Sequence, residues 1–285
     1  MGLASFPLRL RSEAHRLLER SRPYRPRRLS EREGRVEAAA ALGYLGVAAA
    51  LLAAGSSRPF PVATAALLVV AYALASRIRL HVGGGFAVPT QLILVPMLFG
   101  LPAPAVPAVA AAGLLLAALV EAGCGRVDLD RTVAALAGAW PVVAGSLIVL
   151  WAGEPAPGTA AIGVVLAALL AQCAAALAGS TIREWLGRGG APVVHLGTVG
   201  LICVIDLLLT PVALLAAAAS PLEPVALLAL VALLALLAAA AAERRARIVE
   251  AAGRMEALQE ERARLERSLR RVGDAFGSLC FLVML

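Results

Sequence analysis

The sequence predicts an all-α membrane protein, a polytopic bundle of about eight membrane-spanning helices followed by a coiled-coil helix. Of the 285 residues, 60% are hydrophobic and the mean hydropathy is +0.84, whereas soluble domains are usually about 45–50% apolar. The apolar residues form long runs of alanine, leucine and valine, which favours membrane helices over the strands of a β-barrel. After residue 243 the composition becomes rich in arginine, and apolar residues follow a seven-residue repeat.

Composition divides the chain into four segments. Residues 1–35 carry ten of the 26 arginines and no apolar run, so we expect a cytoplasmic segment without a cleavable signal peptide. Residues 36–242 form the helix bundle, 243–278 the cytoplasmic coiled coil, and 279–285 an apolar stub. Within the bundle, the apolar segments lie at 36–54, 60–76, 86–101, 103–120, 132–151, 160–179, 193–218 and 225–242.

The first apolar segment follows a helix-start signal. Ser30 and Glu33 have the spacing of a capping box, in which each side chain bonds the backbone N–H of the other residue. This pattern predicts a helix that begins near Ser30 and enters the bilayer near Val36.

The distribution of arginine predicts the orientation of the bundle. With eight spans, 25 of the 26 arginines fall on one side of the membrane and only Arg58 falls on the other. Cytoplasmic loops are enriched in Arg and Lys, so both termini are expected in the cytoplasm. The short outer loops leave no room for an external ligand-binding domain. The same placement beside apolar spans favours lipid headgroups, and not nucleic acid, as the partner of the basic residues.

The third apolar segment has an unusual pattern. The glycine run 83–85 frees the backbone, Pro89 and Pro96 each remove an N–H donor, and polar side chains follow at membrane depth. Interrupted helices of this kind often line ligand cavities in membrane proteins. A re-entrant or tilted segment, or a kinked packing helix, would leave the same pattern. The candidate ligand residues of this segment are His81, Thr90 and Gln91.

Asp206 lies near the middle of the seventh apolar segment. A charged carboxylate there costs at least about 2.5 kcal/mol unless it is paired or neutral. One hypothesis makes Asp206 a proton or cation sensor or a ligand contact, with His195 on the same helix as a second candidate. The alternative is a protonated Asp206 that hydrogen-bonds to a neighbouring helix.

Other polar residues of the bundle carry weaker signals. Glu121, Gln172 and the Arg183–Glu184 pair are interpreted as interfacial or packing groups. The four cysteines have no CxxC spacing and are interpreted as reduced, buried small residues. The sequence contains no recognisable catalytic set, metal-ligand cluster or nucleotide motif, so we expect no enzymatic activity, metal or cofactor in this chain.

The last apolar segment is expected to continue into the coiled coil as one helix. Ser220, Pro221 and Glu223 form a helix start, and the heptads after residue 243 predict a parallel homodimer. The alternative is a single amphipathic helix that lies on the membrane or on a partner domain. The residues of the dimer seam are Ile248, Met255, Leu269 and Phe276 at one position, and Ala251, Leu258, Leu265 and Val272 at the other.

Two stretches of the chain resemble a known family. The sequence from Ala87 to Pro102, AVPTQLILVPMLFGLP, resembles the N-terminal membrane module of actinobacterial cyclic-di-GMP signalling proteins, which precedes an HD-GYP phosphodiesterase or a GAF and GGDEF diguanylate cyclase. The sequence from Leu269 to Ser278 resembles the linker that enters the GAF domain. After Ser278 the chain departs from the family pattern, and we expect that the output domain is absent here.

Together these patterns predict a sensory input module in a bacterial plasma membrane that transmits a small-molecule or membrane signal through its last helix. The resemblance implies that the output would be a cyclic-di-GMP enzyme. A small-solute transporter with substrate near Asp206, Gln91 and residues 83–85 is the alternative, although the chain has no convincing internal repeat. The apolar stub also leaves open a truncated product without function.

Overall fold

The computed structural model describes residues 30–56, 58–78, 80–82, 85–124, 129–156, 161–188, 193–219 and 229–244, and single positions or pairs at 246–247, 250, 253–254, 258 and 265. Over these residues the fold is helical apart from one short hairpin. The helices are α1 Glu31–Ala54, α2 Val62–Arg77, α3 Gln91–Gly100, α4 Val106–Gly123, α5 Leu129–Ala137, α6 Trp140–Trp151, α7 Ile162–Arg188 and α8 Val193–Ala219. The strands β1 Leu80–Val82 and β2 Gly85–Ala87 form the hairpin, a 3-10 turn Ala103–Ala105 precedes α4, and residues 229–244 are also helical.

The protein has the surface and helix lengths of a membrane protein. Five stretches of the described chain are long and apolar enough to cross a bilayer, and many large apolar side chains point outward. Trp151 at the end of α6 is 87% exposed, and Trp185 near the end of α7 is 63% exposed. Tryptophans often lie at the two membrane interfaces. The five stretches are Glu31–Ala54, Ala103–Gly123, Leu129–Trp151, Ile162–Gly187 and Gly200–Ala219.

The start of α1 confirms the predicted capping box. The Glu33 backbone N–H donates to the Ser30 hydroxyl at 3.3 Å, and the Ser30 backbone N–H donates to the Glu33 carboxylate at 2.9 Å. Two N-terminal N–H groups that have no partner within the helix are thereby satisfied.

The third predicted segment is not one long helix. Strands β1 and β2 pair antiparallel, with Leu80 opposite Ala87 and His81 opposite Phe86. Helix α3 then has ten residues, which makes it about 15 Å long. All of its residues from Gln91 to Phe99 are buried, and it packs most extensively against α8 and also against α2, α4 and α6. The structure therefore differs from the predicted all-α architecture by one short hairpin. Helix α3 lies in the main apolar core.

Ion pairs and hydrogen bonds at the helix termini define two ends of the bundle. At the first end, Arg58 before α2 pairs with Glu154 at 3.6 Å, and Glu154 also accepts a bond from the backbone of Ala103 before α4. At the second end, Glu121 of α4 pairs with Arg77 of α2 at 3.8 Å and with Arg131 of α5 at 3.2 Å. We call these the Arg58 end and the Arg77 end. Helices α2 and α4 both run from the Arg58 end to the Arg77 end.

Because α2 and α4 are parallel, the segment between them must return across the whole bundle. Residues 78–102 therefore run from the Arg77 end to the Arg58 end, and they do so through the hairpin and α3. A re-entrant loop would have returned to the end where it started. The interrupted segment thus connects the two ends of the bundle, with α3 as its helical part.

The first and seventh helices fit the same alternation. Ser56, just after α1, donates to Glu154 at the Arg58 end. Near the other end of α1, Glu37 pairs with Arg183 of α7 at 3.6 Å. Arginines of α2, α5 and α7 thus lie at the Arg77 end, whereas Arg58 lies at the opposite end.

The main core surrounds α3 and includes the last bundle helix. Leu230, Leu234 and Ala241 are 3%, 2% and 6% exposed and belong to the same apolar cluster as the α3 residues and Ala213 of α8. A second cluster contains Tyr44 of α1 and Trp140 of α6, whose rings meet edge to face at 6.3 Å. The Tyr44 hydroxyl donates to the Pro107 carbonyl at 2.8 Å, so a polar tip is satisfied inside an apolar interface.

The chain divides into two compact units, Arg28–Ala241 and a unit made of Met1–Arg27 with Ala242–Leu285. In the second unit Glu243 accepts a hydrogen bond from Arg247 one turn later, and this bond lowers the pKa of Glu243. Leu258 and Leu265 are helical and 60% and 59% exposed. The other predicted seam residues, Ile248, Ala251, Met255, Leu269, Val272 and Phe276, lie outside the described residues. The predicted N-terminal segment before Ser30, the helix start at Ser220 and the stub 279–285 also lie outside them.

Candidate functional site

Asp206 lies among polar groups from three helices. Its carboxylate is half-buried on α8 and within electrostatic reach of Tyr72 on α2 and Cys173 on α7. Tyr72 is 4% exposed. Cys203 lies one turn before Asp206 on α8 and is within electrostatic reach of Cys173. We call Tyr72, Cys173, Cys203 and Asp206 the Asp206 cluster.

The chemistry of the Asp206 cluster is that of hydroxyl and thiol donors around one carboxylate. Among the described residues no arginine forms an ion pair with Asp206. Thr210, one turn later, donates its hydroxyl to the Asp206 backbone carbonyl at 2.6 Å and leaves the carboxylate itself available. Because an unpaired carboxylate in the middle of a membrane helix is costly, a proton or a small polar ligand is the natural partner for this group.

The two predicted histidines are not shown to join this cluster. His195 precedes Asp206 by eleven residues on α8, which separates their positions by about 16 Å along the helix. His81 lies on β1, where its backbone pairs with Phe86. The side chains of both histidines lie outside the described part of the structure.

Thr90 and Gln91 occupy the start of α3. Thr90 is the N-cap residue, but its side chain makes no capping bond; its carbonyl accepts from the backbone N–H groups of Ile93 and Leu94. Gln91 is 3% exposed. Helix α3 packs against α8, so Gln91 and Asp206 are on touching helices, although no hydrogen bond joins the two side chains.

Gln172 of α7 has a role that the sequence did not reveal. It was interpreted as a group near a span end, but it lies near the middle of α7 and is 6% exposed. Its Nε2 atom is buried without a hydrogen-bond partner among the described residues. A Cβ atom added to Gly145 of α6 would lie 2.5 Å from this Nε2. Gly145 therefore allows the Gln172 amide to lie directly against the α6 backbone.

We expect Gly145→Ala to destabilise the protein by about 1–3 kcal/mol, because the new methyl group must displace a buried amide. In a Gln172→Ala background the same substitution should cost much less, since the space is then free. Thermal unfolding of the four variants in detergent micelles measures this coupling. An equal loss of stability in both backgrounds would show that Gln172 is not the obstacle.

Glu154 has three partners at the Arg58 end. Its carboxylate, whose side chain is 10% exposed, accepts bonds from the Ala103 backbone N–H at 2.7 Å and the Ser56 hydroxyl at 3.3 Å, and it pairs with Arg58. Its φ of 52° lies in the left-handed region, which is unfavourable for residues other than glycine. One feature of the sequence points to the ion pair of Arg58 with Glu154. Arg58 is the single arginine that the eight-span arrangement places on that side of the membrane.

Ion pairs between helices account for several charged groups at the Arg77 end. Glu121 and Arg183 lie in ion pairs between helices, in agreement with their interpretation as interfacial or packing groups. Glu37, for which the sequence gave no prediction, is the partner of Arg183. Within the described residues, no group of three or more His, Cys, Asp or Glu side chains is arranged to hold a metal ion.

Comparison of the chain with known protein families, with curated proteins and with solved structures found no match. The choice of a site therefore rests on geometry alone. The Asp206 cluster is the best candidate because it combines a carboxylate that has no cationic partner among the described residues, a buried hydroxyl and two cysteines near the middle of the helices.

Proposed function

We propose that this protein is a sensory input module of a bacterial plasma membrane, with eight crossings of the bilayer and both termini in the cytoplasm. The Arg77 end would face the cytoplasm. Among the described residues, the arginines at positions 77, 131 and 183 lie at this end and Arg58 lies at the other. This distribution supports the orientation because cytoplasmic surfaces of membrane proteins are enriched in arginine.

One observation carries the sensory proposal. The helix at 229–241 is embedded in the core around α3, together with residues of α8, the helix that carries Asp206. Packed interfaces tend to switch between discrete arrangements and not to deform continuously. A ligand or proton at the Asp206 cluster that favours one packing of α8 would therefore also shift the last bundle helix, and the heptads that follow it in sequence would carry this shift to an output.

The resemblance of residues 87–102 and 269–278 to cyclic-di-GMP signalling proteins supports a diguanylate cyclase as that output. The signal itself would be a small molecule or a property of the membrane, because the loops at the Arg58 end are short.

A fusion protein tests the transmission. A diguanylate cyclase catalytic domain is joined after Phe276, and two or seven residues are inserted after Arg254. Seven residues preserve the heptad phase, whereas two residues rotate the domain to another face. We expect the two-residue insertion to change cyclic-di-GMP synthesis in membranes by about fivefold or more, and the seven-residue insertion to retain the original rate. Equal rates in all three fusions would refute transmission through this helix.

The proposed dimer predicts a specific crosslinking pattern. With the four native cysteines replaced by serine, Leu258→Cys and Leu265→Cys should each give a disulfide-linked dimer in oxidised membranes, because both occupy the seam. Glu260→Cys, on the outer face of the same predicted heptads, is the matched control and should stay monomeric. The dimer is wrong if neither seam position crosslinks, or if the control crosslinks as efficiently.

A transporter is the second candidate, and the interrupted crossing at residues 78–102 favours it, since transporters often bind substrate at broken helices. Uptake of a solute into vesicles that contain the protein, abolished by Asp206→Asn, would support this function. The sensor would be favoured if no solute were taken up and if the cyclase activity of the fusions changed with the two-residue insertion but not with the seven-residue insertion.

A further inference from the structure

Asp206 lies at the middle of a helix, and its carboxyl group is joined to no other described residue by a hydrogen bond or an ion pair. It is the fourteenth of the 27 residues of α8, so about 20 Å of helix separates it from either end. The residue is half-buried. Thr210, one turn later, directs its hydroxyl to the backbone carbonyl of Asp206 and not to its side chain.

The described elements around α8 place no basic residue at the level of Asp206. Helix α8 packs against α3, β2 and α7, and it shares the main apolar core with the helix at 229–241. In sequence, α3, β2 and residues 229–241 contain no charged or titratable residue. The charged residues of α7 lie among its last six, where Arg183 pairs with Glu37 at the Arg77 end.

The titratable groups near Asp206 are Tyr72 of α2, Cys173 of α7 and, one turn earlier on α8 itself, Cys203. A phenol or a thiol is either neutral or negative, so none of them compensates the charge of a carboxylate. A divalent metal ion such as Ca²⁺ takes at least six oxygen ligands, and the described residues offer no group of three or more His, Cys, Asp or Glu side chains to hold one. A proton is the ligand that fits these surroundings.

We propose that Asp206 is an exchangeable proton-binding site inside the membrane and that the proton is the ligand of the proposed sensor. Binding adds one proton to a carboxylate oxygen and removes the negative charge, and release restores the charge. The ionised form is costly at this depth, whereas the neutral acid is tolerated. Val204, Leu207 and Leu208 beside Asp206 are 51%, 47% and 70% exposed, so this part of α8 borders lipid.

Release of the proton would place a negative charge next to an apolar interface. Helix α8 packs against α3 in the main core, which also contains Leu230 and Leu234 of the last bundle helix. Ionisation would therefore favour a packing of α8 in which the carboxylate is better hydrated. This step rests on the proposed function. Proton binding itself does not, because it is measured without any output domain.

The test labels the full chain in nanodiscs of phosphatidylcholine and phosphatidylglycerol with dicyclohexylcarbodiimide, a lipid-soluble reagent that adds to protonated carboxyl groups. We expect peptide mass spectrometry to find the adduct on Asp206. Its yield should fall about tenfold per pH unit once most of the sites are ionised. Glu121 and Glu154, which lie in ion pairs, and the exposed Asp130 are internal controls that should stay unlabelled.

Two variants and a second measurement accompany the labelling. Asp206→Asn should remove the adduct, and Asp206→Glu should retain it. In infrared difference spectra, the carboxylic-acid C=O band of the parent should disappear as the pH rises, and the same band should be missing in Asp206→Asn. Thermal unfolding of each protein verifies that the carboxyl group is probed in a folded chain.

The proposal is overturned if the folded parent shows neither the adduct nor the infrared band, or if the labelling yield does not change with pH. Protection of Asp206 by sodium or potassium ions at constant pH would also overturn it, because a metal cation would then be the ligand. A cyclase fusion whose response to pH survives Asp206→Asn would overturn the proton as the signal. Negative labelling, with cyclase activity that changes with the two-residue insertion only, would remove the proton site and leave the sensory function standing.

Discussion

Replacing Glu154 with alanine is expected to lower the free energy of unfolding by about 2–3 kcal/mol. The substitution leaves the Ala103 backbone N–H without its acceptor and Arg58 without its carboxylate, and it releases the Ser56 hydroxyl. These contacts join the loop after α1, the start of α4 and the loop after α6. Their loss should therefore loosen the whole Arg58 end, which thermal unfolding in detergent micelles would detect.

Two variants separate the contacts of Glu154 from its backbone conformation. Glu154→Gly removes the same side chain but relieves the left-handed φ, so it should be about 1 kcal/mol more stable than the alanine variant. Glu31→Ala breaks the exposed pair with Arg35 and should change stability by no more than about 0.5 kcal/mol. If Glu154→Ala were as mild as Glu31→Ala, the contacts at the Arg58 end would not stabilise the bundle.

The apolar segments predicted most of the helices because burial in lipid requires long apolar runs and leaves a plain compositional signal. The breaks within them were harder to predict. The segment 132–151 is predicted as one span, and Leu129–Trp151 is one stretch long and apolar enough to cross a bilayer, but within it α5 ends at Ala137 and α6 begins at Trp140. Pro141 lies at the start of α6, where a missing N–H costs nothing. The proline therefore favours a new helix start at that position.

The segment at 78–102 shows what composition cannot determine. The glycines and prolines correctly marked an irregular segment, but not the end of the bundle at which it emerges. That information comes from Arg77, Glu121 and Glu154, whose contacts fix the directions of α2 and α4. Such contacts join residues that are far apart in sequence and follow no local period.

Of the four residues of the Asp206 cluster, the sequence predicted only Asp206. Asp206 could be identified from its position alone, since a carboxylate in an apolar run is rare. Its neighbours Tyr72 and Cys173 come from other helices, and their approach depends on helix packing. The contact of Gln172 with Gly145 has the same origin, so local spacing gave no signal for it.

Gly113→Ala is expected to destabilise the protein by about 1–3 kcal/mol, because it overpacks the interface between α2 and α4. A Cβ atom at Gly113 would lie 3.0 Å from Tyr72 Cδ1, 3.1 Å from Tyr72 Cβ and 3.1 Å from the Val69 backbone oxygen. Two of these three atoms cannot move without moving α2 itself. Small residues at such interfaces allow membrane helices to approach closely.

Gly163→Ala is the matched control for Gly113→Ala, since Gly163 lies on exposed α7 surface with nothing within 4 Å of an added Cβ. It should stabilise the protein by up to about 1 kcal/mol through helix propensity. Opposite signs for the two glycines in the same unfolding assay would establish that close packing, and not propensity, selects Gly113. Because the displaced residue is Tyr72, Gly113→Ala should also disturb the Asp206 cluster.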